Sequence, residues 1–493
     1  MQRFQLLRQN SSRNLITGLC YQVVSTFLGL LLPHLFITSL GSETNGLLNS
    51  IGQVFTCLGL LEAGVGIATI QALYKPIANN AQERINGVLS ATNRYYQKTG
   101  LCYIVSVALL AITFPFLVDS KLSNSTIRWV ILLQGTGAVI NYLVLAKYVL
   151  LLKAEGKNYV ITSIMFFMLL LRNVGKIVAI RLGYDVIAVQ GIQLSSVMIE
   201  SVCILIYIKR HYPWISLKEE PDFESISQKN SVLIQSVAWM VFNHTDILIL
   251  TLFTRNLGLI SVYSVYLLLF EVGQNVMNAI RESFQYRIGK AATQTDGGLD
   301  SFFGSYSVII LFATFAVYTT IYCIATPFIR LYTAGVTDVE YLAKAIPEMF
   351  FTYKLLYGIR ALSRQPIEAA GHFNKTKKIS IIEAILNLGV SVMLVRLWDI
   401  IGVLAGTIVS LAISDVLYLR YVKRNLAPLS IKKQLKLLGL YIPVVVVVQI
   451  LHKRIDMQMK SWGMLILYAI VIGIVALTVY SFPLLYSRIR NRK

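Results

Sequence analysis

Residues 302–326 read FFGSYSVIILFATFAVYTTIYCIAT, a run without one Asp, Glu, Lys or Arg. A helix rising about 1.5 Å per residue crosses a bilayer core in about 20 residues, so this stretch is long enough to span one. Its apolar residues are continuous rather than alternating, which excludes a membrane β-barrel strand. The same ruler run along the chain predicts about 14 spanning helices. They fall near 15–38, 46–73, 96–118, 127–151, 159–180, 186–208, 231–253, 259–280, 302–326, 345–366, 379–396, 400–420, 437–452 and 462–482. Composition agrees: 56% of the 493 residues are apolar and 14% charged, whereas a soluble domain carries about 25% charge. An ordinary soluble globule and a disordered chain are therefore excluded. The expected fold class is an all-α integral membrane protein.

The charge balance carries the next piece of information. Lys and Arg number 45 against 24 Asp and Glu, a formal +21. In a soluble protein that excess would point to nucleic acid, but in a membrane protein it points first to cytoplasmic loops. With the N-terminus inside, about 28 Lys/Arg fall in cytoplasmic segments, about 9 outside and about 8 within spans. Residues 420–436 and the tail Arg488, Arg490, Arg492 and Lys493 are the richest inside segments, and 39–45 has no cation. Both termini are thus expected in the cytoplasm, and no nucleic-acid partner is needed. The first span follows Arg3, Arg8 and Arg13; it is too long for a signal-peptide core and lacks a small-residue cleavage site, so it reads as a retained anchor.

The two halves echo each other at an offset of roughly 215 residues, the mark of a duplicated transporter fold. Gly156 lines up with Gly371, Arg181-Leu182 with Arg396-Leu397, Gly191 with Gly406, Ser195 with Ser410, and Leu40-Gly41 parallels Leu257-Gly258. An even number of spans separates the copies, so the repeats run parallel in the membrane. The expected organisation is an N-terminal six-helix bundle over 1–208, a cytoplasmic linker over 209–230, a C-terminal six-helix bundle over 231–425, and an additional two-helix segment with a basic tail over 426–493. The linker holds Pro213, Pro221 and the acids Glu219, Glu220, Asp222 and Glu224, and reads as a solvated hinge.

Ionisable residues inside a span cost several kcal/mol near the bilayer centre, so they face a wet cavity or a partner. Arg172 and Lys176 lie one turn apart, Arg360 and Arg364 repeat that spacing, and Lys354 precedes them. One reading is an electropositive cavity for an anion such as a phosphate, to which Arg offers bidentate hydrogen bonds. The other is snorkelling, or pairing with Glu200, Glu62 or Glu383. The cavity is the expectation for Arg172, Lys176 and Arg360, and a headgroup-facing position for Arg128, Lys147 and Arg364. The 259–280 span carries Glu271, Gln274, Asn275 and Asn278, at spacings of three, four and seven that share a helix face. Such groups suit sugar hydroxyls or interhelical hydrogen bonds. In the span before it, Asp246 beside His244 offers a site for a coupling Na+ or H+, or a partner for a cation. Pro33 and Pro347 are expected to kink their helices.

Enzyme signatures are missing. No GxxxxGK[ST] loop or HExxH motif is present, and the five histidines are scattered. Cys20, Cys57, Cys102, Cys203 and Cys323 form no CxxC pair, against a disulfide framework or metal site. No enzyme activity, catalytic residue, cofactor or metal is expected.

Three runs give the N-terminal third a family likeness: Leu40-Gly41-Ser42-Glu43-Thr44-Asn45-Gly46-Leu47, Gly59-Leu60-Leu61-Glu62-Ala63-Gly64-Val65-Gly66, and Ala72-Leu73-Tyr74-Lys75-Pro76. They resemble the polysaccharide flippases, the O-antigen and capsule oligosaccharide transporters of the multidrug/oligosaccharidyl-lipid/polysaccharide exporter superfamily. Arg364-Gln365-Pro366-Ile367-Glu368-Ala369-Ala370-Gly371 and Gly402-Val403-Leu404-Ala405-Gly406-Thr407 look similar to that family's second half. The resemblance implies two six-helix bundles in parallel pseudo-repeat around a central cavity, with two further C-terminal helices in contact with the lipid tail or a partner. It also implies a bacterial cytoplasmic (inner) membrane location and alternating access. The implied substrate is an undecaprenyl-pyrophosphate-linked oligosaccharide, with membrane lipid and polysaccharide assembly proteins as further partners. Arg172, Lys176 and Arg360 match the family's cavity cations by span and character. Two rivals stand beside this reading. An ion-coupled multidrug antiporter of the same superfamily would want acids rather than cations in its cavity. A membrane polysaccharide polymerase or glycosyltransferase would want a large external loop or a carboxylate cluster.

Overall fold

The computed structural model describes the backbone of residues 2–59, 62, 64–226, 240, 245–292, 298–370, 372–426, 428–454 and 459–490. Among these residues there is no β-strand; one isolated bridge joins Asp119 to Asn256. The chain divides into two compact units, Met1–Ile260 and Ser261–Lys493.

The first unit holds α1 (Gln2–Leu40), α2 (Ser42–Leu58), α3 (Val65–Ala78), α4 (Gln82–Leu117), α5 (Asn124–Ile140), α6 (Ala146–Ala154), α7 (Asn158–Arg181), α8 (Val186–His211) and the short α9 (Thr245–Thr254). A π-helical turn, Asn141–Leu145, joins α5 to α6. Helix starts follow polar caps where the sequence supplies them: Ser123 accepts from the Thr126 N–H and Asp185 from the Ala188 N–H. Gly41 takes φ +88° to reverse the chain between α1 and α2, a conformation without steric cost only in glycine. In the same motif, Glu43 accepts from the Ser120 hydroxyl at 2.5 Å and the Lys121 N–H at 2.7 Å, tying α2 to the α4–α5 loop. Gly46 lets α2 approach Leu257, whose carbonyl oxygen would lie 1.8 Å from an added Cβ.

Loops expected on the same side of the membrane meet at the same end of this unit. At one end, Asn14 bonds Gly156 and Tyr159, while the linker crosses the start of α4, where Asn86 holds Trp214 and Ser216 and Ser90 holds Leu217. Tyr212 there donates to Glu155 and accepts from Lys157 at 2.8 Å. Burial and the Glu155 carboxylate push the Tyr212 phenol above its usual range. At the other end, the Asp119 N–H donates to Arg255 O at 2.9 Å.

The second unit begins within α10 (Leu257–Ala292) and continues through α11 (Gly298–Tyr332), α12 (Ala345–Ile359), α13 (Ala361–Ala369), α14 (Phe373–Asn425), α15 (Pro428–Arg454) and α16 (Trp462–Arg490). The 302–326 run lies in α11, which is this unit's hub and packs against α12, α13, α15 and α16. The last two helices dock on it through Phe315, Tyr441 and Tyr480, whose rings lie 5.1–5.7 Å apart. Tyr480 also shares a 3.0 Å hydrogen bond with Thr319. The opposite sides of these helices expose Ile442, Val447, Ile450, Leu467 and Ile474, suited to hydrocarbon.

Among the described residues, ten helices are long and apolar enough to cross a membrane. Nine answer to one expected span each, and the tenth, within α14, covers both 379–396 and 400–420. Its non-helical turn is at Trp398 and Asp399, the latter with φ +44°. The 46–73 span divides into α2 and α3, the 231–253 span is described over Thr245–Thr254, and the 345–366 span breaks at Arg360. That last break is not at Pro347, which occupies the first turn of α12, where a missing N–H costs nothing. α1 runs through Pro33 as one helix. The repeat is visible in the backbone. At an offset of roughly 215, the π turn at Asn141–Leu145 corresponds to 356–360, where α12 ends. The Gly183–Tyr184 turn corresponds likewise to Trp398–Asp399.

Candidate functional site

The 259–280 stripe becomes a partly buried polar line on α10. Glu271 accepts from the Lys354 ammonium at 2.7 Å, and that side chain is 2% exposed against 43% for Glu271. Lys354 also sits 4.9 Å from the Tyr353 ring and 5.8 Å from that of Tyr357. One turn further, Gln274 accepts from the Tyr318 hydroxyl at 3.0 Å and donates to Asn278 Oδ1 at 3.1 Å. Asn278 Oδ1 also accepts from Arg281, whose guanidinium lies 5.9 Å from the Tyr357 ring. Asn275 does not join them; it is exposed. The helical period explains this: at 100° per residue, positions 274, 278 and 281 fall on one side of Glu271 and 275 on the other.

Lys354 and Glu271, expected as separate substrate contacts, therefore hold each other. The result is a line of acceptor, amide, cation and aromatic groups with two cations to one carboxylate. Such a line can bond hydroxyls and balance a negative charge. Lys354 was legible as an intramembrane cation, but Tyr318 and Tyr357 were not, because each belongs to another span or another turn.

Arg360 departs from the expectation of a cavity. It stands at the α12–α13 junction and pairs with Glu383, with both side chains nearly closed off at 6% and 4% exposure. Asp415 lies within electrostatic reach of both, and the Tyr418 ring is 5.6 Å from the Arg360 guanidinium. Burial of an unpaired guanidinium is costly, and Glu383 is the acid that the fold supplies. Arg364 reaches Glu368 at 3.6 Å and the same Tyr418 ring.

In the first unit, Lys176 donates to Gln193 Oε1 at 2.7 Å and lines a cavity of about 810 Å³ between α1, α2, α5, α7 and α8. Arg172 is half-buried, within electrostatic reach of Lys176 and Glu200. Asp246 is buried in the first turn of α9 and is engaged by neighbours. His244 lies outside the described residues. Glu62 meets the Tyr96 hydroxyl rather than an Arg. Among the described residues, no group of three or more His, Cys, Asp or Glu is arranged to hold a metal ion.

No family model matches the chain, and no curated protein does. Solved structures do. A lipid II flippase, MurJ, in an inward closed conformation aligns with TM-score 0.71 and 15% identity, over 96% of this chain and 100% of that one. A multidrug resistance MATE family transporter of the MOP superfamily, inward-facing, aligns with TM-score 0.64 and 16% identity, over 82% and 96% of the two chains. An outward-facing MATE transporter of that superfamily gives 0.53 and 16%, over 85% and 97%. The protein is a multi-pass membrane protein with the fold of these transporters.

Proposed function

We propose that this protein is a flippase that moves undecaprenyl-pyrophosphate-linked oligosaccharide repeat units across the bacterial cytoplasmic membrane for surface polysaccharide assembly. The observation that carries the reading is the α10 line, in which Glu271, Gln274, Asn278, Arg281 and Lys354 join amides, aromatic rings and an excess of cations. A sugar headgroup offers hydroxyls to the amides, and a pyrophosphate offers charge to the cations. An organic cation is served poorly by two cations to one carboxylate. The likeness of the fold to a lipid II flippase over nearly the whole chain supports a lipid-linked substrate. Its likeness to both inward- and outward-facing MATE transporters supports alternating access. Asp246 is the proposed position for a coupling Na+ or H+. The two termini are proposed to lie in the cytoplasm, on the strength of the cation asymmetry.

Depletion of the protein in its host tests the reading. Complete repeat units should accumulate on the cytoplasmic leaflet. Normal export of single units with short surface chains would instead identify a polymerase.

A further inference from the structure

The two limbs of α14 run back from the turn at Trp398–Asp399 and bring two acids to one level inside the second unit. Glu383 and Asp415 lie equally far in sequence from Asp399. A hydrogen bond between the limbs fixes the register on either side of them. Ser380 and Tyr418 share one of 2.7 Å between their hydroxyls, and Asn387 donates to Thr407 at 3.0 Å. Each acid stands ten residues from the far end of its limb, about 15 Å along the helix. Asp415 is 6% exposed, and neither of its carboxylate oxygens has a hydrogen-bond partner among the described residues. Glu383 uses one oxygen on Arg360, while its Oε1 is buried and likewise unmatched.

The charges here do not balance. Among the described residues, the charged groups within electrostatic reach of Asp415 are Glu383 on its own helix, Arg360 at the α12–α13 junction and Arg364 on α13. No ionisable group of α15, which also packs against α14, joins them. Arg364 reaches outward to Glu368, and these two side chains are 38% and 46% exposed. Arg360 is thus the buried guanidinium that two buried carboxylates have in common. Burial of a charge without its own partner is costly. One proton on Asp415 removes that charge and keeps the Arg360–Glu383 pair whole.

A proton fits this site better than a metal ion. A divalent cation takes about six or more oxygens, and the hydroxyls beside the acids are already engaged. Ser380 is bonded to Tyr418, and Ser414 donates to the Leu411 carbonyl at 3.1 Å. The guanidinium would also repel a cation held by the same carboxylates. A proton needs one oxygen and no further ligand. Polar groups continue from the cluster to the surface of the unit, since Arg364 lies 5.7 Å from the Tyr418 ring and pairs with the exposed Glu368.

We infer that Asp415 is a proton-binding site of the second unit, taking up one proton per chain while Glu383 stays ionised on Arg360. The step joins a solvent proton to the Asp415 carboxylate and makes or breaks no other covalent bond. The site is separate from the coupling position proposed at Asp246, and it goes beyond the proposed function because it requires no particular substrate. Arg360 is the residue between α12 and α13. Ionised Asp415 therefore competes with Glu383 for the guanidinium at that break, and protonated Asp415 leaves it to Glu383.

The test is infrared difference spectroscopy of the purified full chain in detergent, acidified stepwise in light and in heavy water. A buried carboxylic acid without a hydrogen-bond partner absorbs at a higher C=O frequency than a hydrated one. One such band should grow on acidification and move down in heavy water. Asp415→Asn, which keeps the shape of the acid form, should remove the band and leave the far-ultraviolet ellipticity unchanged. Glu383→Gln gives an independent reading: the guanidinium turns to Asp415, and about tenfold more proton or greater should be needed to raise the band, as expected for a new charge-assisted hydrogen bond. The inference is overturned by the absence of a high-frequency band in the unmodified chain, or by a band that survives Asp415→Asn. It is equally overturned by a band raised at the same acidity in Glu383→Gln, or by loss of the band when Na+ is added at constant pH, which would make this a cation site. No lipid-linked substrate is present, so the result stands apart from any test of flipping.

Discussion

Substitution of Arg360 by Met should destabilise the second unit far more than substitution of its partner Glu383 by Gln. The side chains are 6% and 4% exposed, so solvent screens the pair weakly and the surface value of about 0–1 kcal/mol does not apply. Removal of one member of a buried pair costs about 3–5 kcal/mol. Arg360→Met should fall at the top of that range, since it leaves two carboxylates, Glu383 and Asp415, facing each other in a buried site. Glu383→Gln keeps an amide acceptor for the guanidinium and leaves Asp415 within its reach. Its cost should therefore be about 1.5–3 kcal/mol, the worth of a charged hydrogen bond. Arg360→Met with Glu383→Met should recover part of the loss, because apolar replacement of a whole buried pair is often near neutral. Denaturant-induced loss of ellipticity in detergent micelles reads these differences. Equal costs for the two single substitutions, or a double variant less stable than Arg360→Met, would refute the cluster as drawn.

Other outcomes follow from particular contacts. Gly46→Ala should sharply reduce the yield of monodisperse protein on size exclusion, because its Cβ would overlap the Leu257 carbonyl oxygen and force backbone apart, at about 3 kcal/mol or more. Tyr480→Phe should loosen α16 from α11 by about 0.5–1.5 kcal/mol, read as faster amide exchange in 470–480. The hydroxyl and N–H of Ser225 hold the Asp222 carboxyl below its ordinary value of 3.8. Its contribution to linker order is therefore full above that value and lost as the pH falls through the lower folded one. Limited proteolysis at 212–226 should increase there, and Asp222→Asn should remove the pH dependence.

The spans were legible because each buries a continuous apolar run, and run length is a one-dimensional property. So were the tight turn at 397–399, which leaves three residues between two runs, and the repeat, which recurs at a fixed spacing. The breaks were harder. Pro347 looked like the kink, yet the interruption falls at Arg360, where a buried guanidinium reaches Glu383 on another helix. The π turn has no proline or glycine to announce it. The stripe from Glu271 to Asn278 followed from the helical period, which also separates Asn275 once the buried direction is known. The partners were illegible, because Lys354–Glu271, Gln274–Tyr318 and Lys176–Gln193 join residues 17 to 83 positions apart. Only the fold sets those distances.

The most direct measurement uses purified protein reconstituted into vesicles with an undecaprenyl-pyrophosphate-linked oligosaccharide in one leaflet, followed by lectin accessibility at the other. Flippase activity predicts that the glycan becomes accessible in protein-containing vesicles. Glu271→Gln combined with Lys354→Met should slow the transfer at least tenfold, as expected when a charged hydrogen-bonding pair is lost. Glycan that stays in its original leaflet, in vesicles that take up an organic cation against an ion gradient, would contradict flippase activity and identify an antiporter.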